Sequence, residues 1–134
     1  MADEPILQVR IEDPLPFTVA DANFIAKGTV CALDDPRTAT SGAGNGGVLA
    51  GIAARDKIAS DGRTELAFFR RGWFDMLCSG AVTTGDTLQA YNNEVQVAGL
   101  DLSGASIIGT ALQDGADNER ILVDVNIQPG FNTD

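Results

Sequence analysis

The sequence contains no histidine and only two cysteines, and these shortages exclude several kinds of chemistry. Without histidine, neither a Ser-His nor a Cys-His nucleophile can form, and no imidazole can ligate a metal. Cys31 and Cys78 either form one disulfide or pack as free thiols, since each lies in an apolar, strand-like run. We therefore predict a protein that is not an enzyme and that has no cofactor or metal site.

Basic residues are also scarce, because nine Lys and Arg stand against nineteen Asp and Glu, for a formal net charge of −10. Their one cluster is the pair Arg70 and Arg71, whereas nucleic-acid-binding proteins concentrate Lys and Arg to neutralise phosphates. No apolar run approaches the ~20 residues needed to cross a bilayer, and the N-terminus lacks the basic and apolar regions of a secretory signal. These features predict a partner that is neither nucleic acid nor membrane, and synthesis in a cytoplasm.

What the sequence does contain is a repeated pattern of strand-like runs. Gly28 opens one apolar run and Gly51 lies in the next, 23 residues later; Gly85 and Gly109, 24 residues apart, repeat this arrangement 57 residues further along. Short apolar runs separated by turn residues are typical of β-strands. We predict an all-β fold with at most one short helix, a small β-barrel or β-tulip-like sandwich built from two similar strand units at about 27–75 and 84–127.

Aromatic residues concentrate in the longest strand-like run, residues 64–77, in which Gly72 predicts a bulge or bend. Successive residues of a strand face opposite sides, so one residue of each neighbouring aromatic pair must be covered by something other than the near core. The cover is either the other repeat or another subunit. The candidate subunit-interface residues are Phe69, Trp73 and Phe74.

Residues 1–24 differ from the repeat and predict an extended N-terminal arm ahead of a single β-rich domain at 25–134. The arm begins with an alternating run, residues 6–11, and prolines then interrupt it. Leaving Ile6, Val9 and Ile11 in water is unfavourable by ~1.5–3 kcal/mol for each side chain that could be fully buried. The arm is therefore either a disordered tail or, as these apolar residues favour, a strand that adds to a partner's sheet edge.

Glycine-rich and acidic segments are the remaining candidates for binding or catalysis. The stretch 41–47 is interpreted as a surface loop, because a phosphate-binding loop requires Gly-Lys-Ser/Thr at the start of a helix. Paired carboxylates at Asp34 and Asp35, and at Asp114, Asp117 and Glu119, could serve a glycosidase. Acidic residues in turns usually accept backbone hydrogen bonds, and we assign these residues to turns.

Taken in order, eight segments of the chain resemble the small head decoration proteins that stabilise the capsids of tailed double-stranded DNA viruses. The segments are 17–21, 27–30, 33–39, 50–53, 72–75, 85–86, 108–112 and 119–127. The resemblance implies a β-rich domain, usually trimeric, that sits at three-fold and quasi-three-fold positions on the outer surface of the virion and clamps neighbouring major capsid proteins. It also implies an arm that pairs with a capsid strand. The matching capsid-contact residues are Pro5, Ile6, Leu7, Val9, Ile11 and Phe17.

Two other functions remain open from the sequence. A β-sandwich module could recognise a carbohydrate or a host surface through Trp73 and the 41–47 loop. An enzyme of the carboxylate-pair type is the weaker alternative, because the acidic residues lie in turn sequences.

Overall fold

The computed structural model of this chain describes residues 4–33, 38–41, 48–97 and 106–129, and within them every regular element is a β-strand. The strands of the N-terminal half are β1 (Ile6–Arg10), β2 (Leu15–Thr18), β3 (Val30–Leu33), β4 (Ala39–Ser41), β5 (Leu49–Ala53) and β6 (Glu65–Phe69). Those of the C-terminal half are β7 (Arg71–Leu77), β8 (Thr87–Tyr91), β9 (Glu94–Val97), β10 (Ser106–Ala111) and β11 (Arg120–Pro129). The all-β prediction is confirmed. None of the described residues belongs to a helix long and apolar enough to span a membrane.

The strands form two antiparallel sheets that pack against each other. One sheet has six strands in the order β1-β7-β11-β10-β8-β9, and the other has five in the order β2-β6-β5-β3-β4. One buried cluster joins them, because Leu49 and Ile52 of the five-stranded sheet pack with Phe74 and Met76 of the six-stranded sheet. Neither sheet closes on itself, so the fold is the sandwich and not the barrel.

The two sheets repeat one strand order. If β1 is set aside, each strand of the five-stranded sheet corresponds to the strand five positions later in the chain, so that β2-β6-β5-β3-β4 becomes β7-β11-β10-β8-β9. Each similar unit of the chain thus builds its own sheet. β7 lies in the sheet of the second unit, although most of its residues belong to the first expected repeat, 27–75.

The repeated glycines Gly51 and Gly109 occupy matching bulges in β5 and β10. In each strand the register shifts by one residue beside the glycine. A Cβ on Gly51 would lie 2.6 Å from the carbonyl oxygen of Phe69, and a Cβ on Gly109 would overlap the carbonyl oxygen of Asp124. Only glycine permits this approach of β5 to β6 and of β10 to β11, which explains why the sequence places glycine at both positions.

The chain crosses from one sheet to the other at Arg70. β6 pairs with β2 and β5, whereas β7 pairs with β1 and β11. The single strand expected over 64–77 is therefore two strands, and the break lies ahead of Gly72. The crossing brings Phe69 and Phe74 to the inter-sheet core from opposite sheets, with their ring centroids 5.8 Å apart in an edge-to-face arrangement.

A second buried cluster covers the other face of the five-stranded sheet. Phe68 is fully buried there and meets Phe17 edge to face, with a centroid distance of 5.6 Å. Val19 and Ile25, from the segment after β2, complete this cluster. Both faces of β6 are thus buried within one chain, so that Phe68 and Phe69 face opposite sides as the strand period predicts.

The hairpin expected at residues 91–94 is confirmed and connects the two sheets. β8 and β9 pair on either side of it, and Asn92 has a φ of 53°, which asparagine tolerates well. The side-chain oxygen of Asn93 accepts a hydrogen bond of 2.8 Å from the backbone N–H of Val30. The turn of the six-stranded sheet therefore holds the start of β3 in the other sheet.

Lys57 is the one fully buried charged residue among those described. Its Nζ donates to the backbone oxygens of Asp21 and Ile58, at 2.8 and 3.1 Å, and to Asp61 Oδ1 at 2.9 Å. Three acceptors match the three N–H donors of an ammonium group, so its charge is compensated inside the fold. The bond to Asp21 connects the segment after β2 to the turn before β6.

The second unit fills the matching position with apolar groups. In the first unit the backbone of Lys57 forms an isolated antiparallel β-bridge with Ile25, and in the second unit Gly115 forms the equivalent β-bridge with Val82. A Cβ on Gly115 would lie 2.5 Å from Ile121 and 3.0 Å from the sulfur of Cys78. The two units thus share a backbone pattern but stabilise this turn by different interactions.

We expect Gly109→Ala to lower the free energy of unfolding by about 3 kcal/mol, the upper end of the range for overpacking, because its Cβ would meet backbone that cannot move aside. Gly62→Ala is the control: its Cβ would meet nothing within 4 Å, although φ is +84°. Its cost is the left-handed backbone alone, about 1–2 kcal/mol. Urea unfolding measures both variants, and equal losses would contradict the role assigned to Gly109.

We also expect stability to fall as the pH is lowered from about 4 towards 2. Hydrogen bonds from the Arg63 backbone N–H and the Lys57 ammonium lower the pKa of Asp61 from 3.8 to about 2. A carboxyl with a depressed pKa stabilises the fold above its unfolded pKa, and this contribution is lost as the pH falls through the folded pKa. Urea unfolding between pH 2 and 5 should show a smaller dependence on pH for Asp61→Asn than for wild type. The same dependence in both proteins would refute this assignment.

Candidate partner-binding surface

β1 is an edge strand of the six-stranded sheet. It pairs antiparallel with β7, with Leu7 opposite Phe74 and Val9 opposite Trp73, and an irregularity between the two pairs. No described strand pairs with its other side. The strand-forming part of the predicted arm is thus extended, as expected, but it is joined to the sheet of its own chain rather than separate from it.

Apolar side chains are exposed along this edge. Ile6 and Val9 are 50% and 44% exposed, and Trp73 is 38% exposed. Val9 and Trp73 lie directly opposite each other, so their side chains share a face of the sheet. Asp75, the residue opposite Ile6, lies two residues from Trp73 and therefore on the same face, so Ile6 lies on this face as well. We call Ile6, Val9 and Trp73 the edge patch; Ile11, 42% exposed, follows directly after β1.

The other residues expected to contact the capsid lie inside the fold. Phe17 is buried in the second cluster against Phe68, and Pro5 is buried at the start of β1. Leu7 is half-buried and packs on the inter-sheet core. These three side chains hold the N-terminal segment to the body, because they face inward.

Phe69 and Phe74, expected at a subunit interface, are instead buried inside the chain. They are 6% and 2% exposed and form part of the inter-sheet core, since each faces the opposite sheet. Of the three interface candidates, Trp73 alone is available on the surface. The sequence pattern could not separate them, because the assignment of β6 and β7 to different sheets decides which aromatic faces inward.

Asp124, which the sequence did not single out, lies directly opposite Trp73 on β11. One of its carboxylate oxygens, Oδ1, is enclosed and accepts no hydrogen bond from the described residues. An unsatisfied buried acceptor typically costs about 1–3 kcal/mol. The alternating pattern of β11 does not distinguish Asp124 from other outward-facing polar residues, so the sequence alone could not identify it.

The cysteines are buried free thiols. Burial raises the pKa of Cys31 to about 12. Burial also raises the pKa of Cys78, to which the nearby carboxylates of Glu119 and Asp117 add. Both groups are therefore protonated near neutral pH and poor nucleophiles. Of the two alternatives left open by the sequence, the structure shows the free thiols.

The acidic residues of the second unit bind backbone N–H groups in turns, as expected. Asp114 Oδ1 accepts from the backbone N–H and the hydroxyl of Thr84, at 2.7 and 2.8 Å, and these bonds lower its pKa. Asp117 accepts from Gly80 at 2.8 Å, and Glu119 closes its own turn. The described residues contain no group of three acidic or thiol side chains that could hold a metal ion. The pair Asp34 and Asp35, and the glycine-rich loop apart from Ser41, lie outside the described residues.

Comparison with known proteins shows a similarity of fold. No protein-family model and no curated protein sequence matches the chain. Among solved structures, the fold is similar to the N base of head fiber gp8.5 in bacteriophage phi29, with a TM-score of 0.56 and 13% sequence identity. The similarity covers 84% of this chain and 93% of that one. The resemblance to viral head proteins drawn from the sequence is thus confirmed at the level of the fold.

We expect Phe74→Ala to lower the free energy of unfolding by about 3–5 kcal/mol, as core phenylalanines do. Trp73→Ala should cost clearly less than Phe74→Ala in the isolated protein, because Trp73 is 38% exposed and its removal leaves no enclosed cavity, whereas Phe74 is 2% exposed. Urea unfolding of the two variants compares adjacent aromatic residues of one strand. A larger loss for Trp73→Ala would place Trp73 in the core and remove it from the edge patch.

Proposed function

We propose that this chain is a structural protein of the head of a tailed double-stranded DNA phage, bound to the outer surface of the shell. The observation that carries the proposal is the similarity of nearly the whole sandwich to the base of a phage head fiber. The sequence resemblance to head decoration proteins points in the same direction. In this proposal the protein is made in the host cytoplasm and ends on the virion, and it catalyses no reaction.

The proposed partner is the major capsid protein, which the chain stabilises as a decoration protein. The arrangement implied by the resemblance is a trimer at three-fold and quasi-three-fold positions, where each copy contacts neighbouring shell subunits. Linked weak contacts of this kind reach a combined affinity ~10²–10⁴ times that of one contact. A small interface on each copy is therefore enough to hold a shell against outward pressure.

The edge patch is the surface proposed to make this contact. Ile6, Val9 and Trp73 expose apolar area that a partner can remove from water, at about 25 cal/mol per Å². Exposed tryptophan is also enriched among residues that dominate binding energy. The unpaired side of β1 adds backbone N–H and C=O groups that a partner strand can pair with.

The acid excess is compatible with this role. A net charge of −10 keeps separate copies of the free protein apart in solution. The three side chains of the edge patch are uncharged, and the carboxylates of Asp75 and Asp124 lie beside them. Specific binding then depends on apolar and backbone contacts at one edge.

Sedimentation with purified shells of the virus that encodes the chain tests the proposal. Wild type should pellet with shells, and Val9→Lys and Trp73→Ala should each weaken binding by about tenfold or more, since a hot-spot contact is worth at least ~1.4 kcal/mol. Val9 is exposed already, so lysine at this position leaves the folded core unchanged.

Tyr91→Lys is the matched control. Tyr91 is an exposed aromatic, 43% exposed, on β8, and three strands separate it from β1. Its substitution should leave shell binding intact. Failure of the wild-type protein to bind shells would refute the proposed function, and binding to a glycan array in that case would favour the carbohydrate-binding alternative. Equal binding by all variants would refute the role of the edge patch.

A further inference from the structure

A groove of about 520 Å³ runs beneath β1, between it and the five-stranded sheet. Its floor is apolar, because Leu7, Phe69 and Phe74 line it. Volumes of ~300–1,000 Å³ with apolar linings are usual for binding sites. Pro5 packs so closely on Gly28 that a Cβ there would lie 2.7 Å from the Pro5 carbonyl oxygen, which holds the N-terminal wall of the groove in place.

The rim of this groove is positively charged. Arg10, Lys27 and Arg55 line it, three of the nine basic residues of a protein whose net charge is −10. Glu4 is the one acidic residue that lines it. Two further carboxylates lie beside the rim: Asp13 pairs with Arg10, and Asp56 Oδ1 accepts a hydrogen bond of 2.7 Å from the Lys27 backbone N–H. Among the side chains that line the groove the cationic ones still outnumber the acidic one, so the local potential favours anionic groups more than the net charge of the protein does.

The cationic side chains are available to a ligand. Lys27 and Arg55 are exposed, and neither side chain forms an ion pair with the described residues. Arg10 lies over the Phe69 ring at 5.8 Å and pairs with the exposed Asp13 at 3.3 Å. Such exposed pairs contribute little, typically ~0.2–1 kcal/mol, and a ligand carboxylate can replace Asp13 at small cost.

The groove is continuous with the edge patch, because Ile6 belongs to both. A partner seated on the patch therefore has the groove directly beside it. An apolar floor with a cationic rim matches a chain segment that presents an apolar side chain together with a carboxylate.

We infer that the groove binds an extended peptide segment of the protein partner, in which an Asp or Glu neighbours apolar residues. The apolar side chains of the segment occupy the floor, and its carboxylate pairs with Lys27 and Arg55. This inference rests on the proposed function, in which the partner is the major capsid protein. It adds a second contact, charge-dependent where the edge patch is apolar.

Overlapping twelve-residue peptides that span the major capsid protein provide the probe, with binding to the full chain followed by fluorescence anisotropy. We expect the peptides that bind to contain an acidic residue beside apolar ones. Lys27→Glu and Arg55→Glu should each weaken their binding by about tenfold or more, which corresponds to ~1.4 kcal/mol. Raising the salt concentration should weaken wild-type binding in the same direction, because salt screens exposed charges.

Arg63→Glu is a near-neighbour control: it makes the same change in net charge at an exposed arginine that does not line the groove, although it lines an adjoining cavity with Arg55. It should bind the peptides as wild type does, and circular dichroism should show all three variants folded. The inference is overturned if no peptide binds, or if the three variants bind alike. It is also overturned if dodecanoate, an apolar chain with one carboxylate, binds with the same affinity and charge dependence as the best peptide, because the groove would then be a fatty-acid site. Shells that bind wild type and Arg55→Glu equally would overturn the groove contact while leaving the proposed function intact.

Discussion

The burial of one apolar layer between two sheets is the constraint on which the remaining structure depends. The chain leaves one sheet after Phe69 and enters the other at Arg71, so consecutive strands contribute to opposite walls of the same core. This crossing places Phe74 inside and leaves Trp73 outside. Which aromatic residues can meet a partner is therefore a consequence of how the core is closed, and not of their hydrophobicity.

Charge is distributed by local structure in a similar way. Several acidic residues lie in turns, where Asp61 and Asp114 accept hydrogen bonds from backbone N–H groups, which an apolar side chain cannot do. Arg10 of β1, Lys27 ahead of β3 and Arg55 after β5 all line the groove, because β1 lies close to these ends of β3 and β5. A protein that is strongly acidic by composition thus presents a groove with a cationic rim among its described residues. The net charge governs how separate copies of the protein repel each other in solution, whereas the local charge of the groove governs which ligands can bind there.

Much of the fold was predictable because its signals are local. The hairpin around Asn92 follows from turn residues between two alternating runs, and the glycines Gly51 and Gly109 marked equivalent strands before any pairing was known. The break at Arg70 was not predictable, because residues 64–77 have continuous strand propensity and only pairing partners separate β6 from β7. For the candidate site, Ile6, Val9 and Trp73 were identified from the sequence. Lys27 and Arg55 were not, because no spacing in the chain relates them to Arg10.

The sequence by itself determined that the protein is all-β and that its two units are alike, since strand periodicity and glycine spacing are properties of neighbouring residues. It also determined that no histidine-dependent chemistry is available, since composition alone decides that. The tertiary structure decided that the N-terminal strand joins a sheet of its own chain, that Phe17 of β2 is buried against Phe68, and that cationic side chains line the groove beneath β1. These features depend on contacts between residues far apart in the chain, and the free energy of such contacts is set by packing rather than by local sequence.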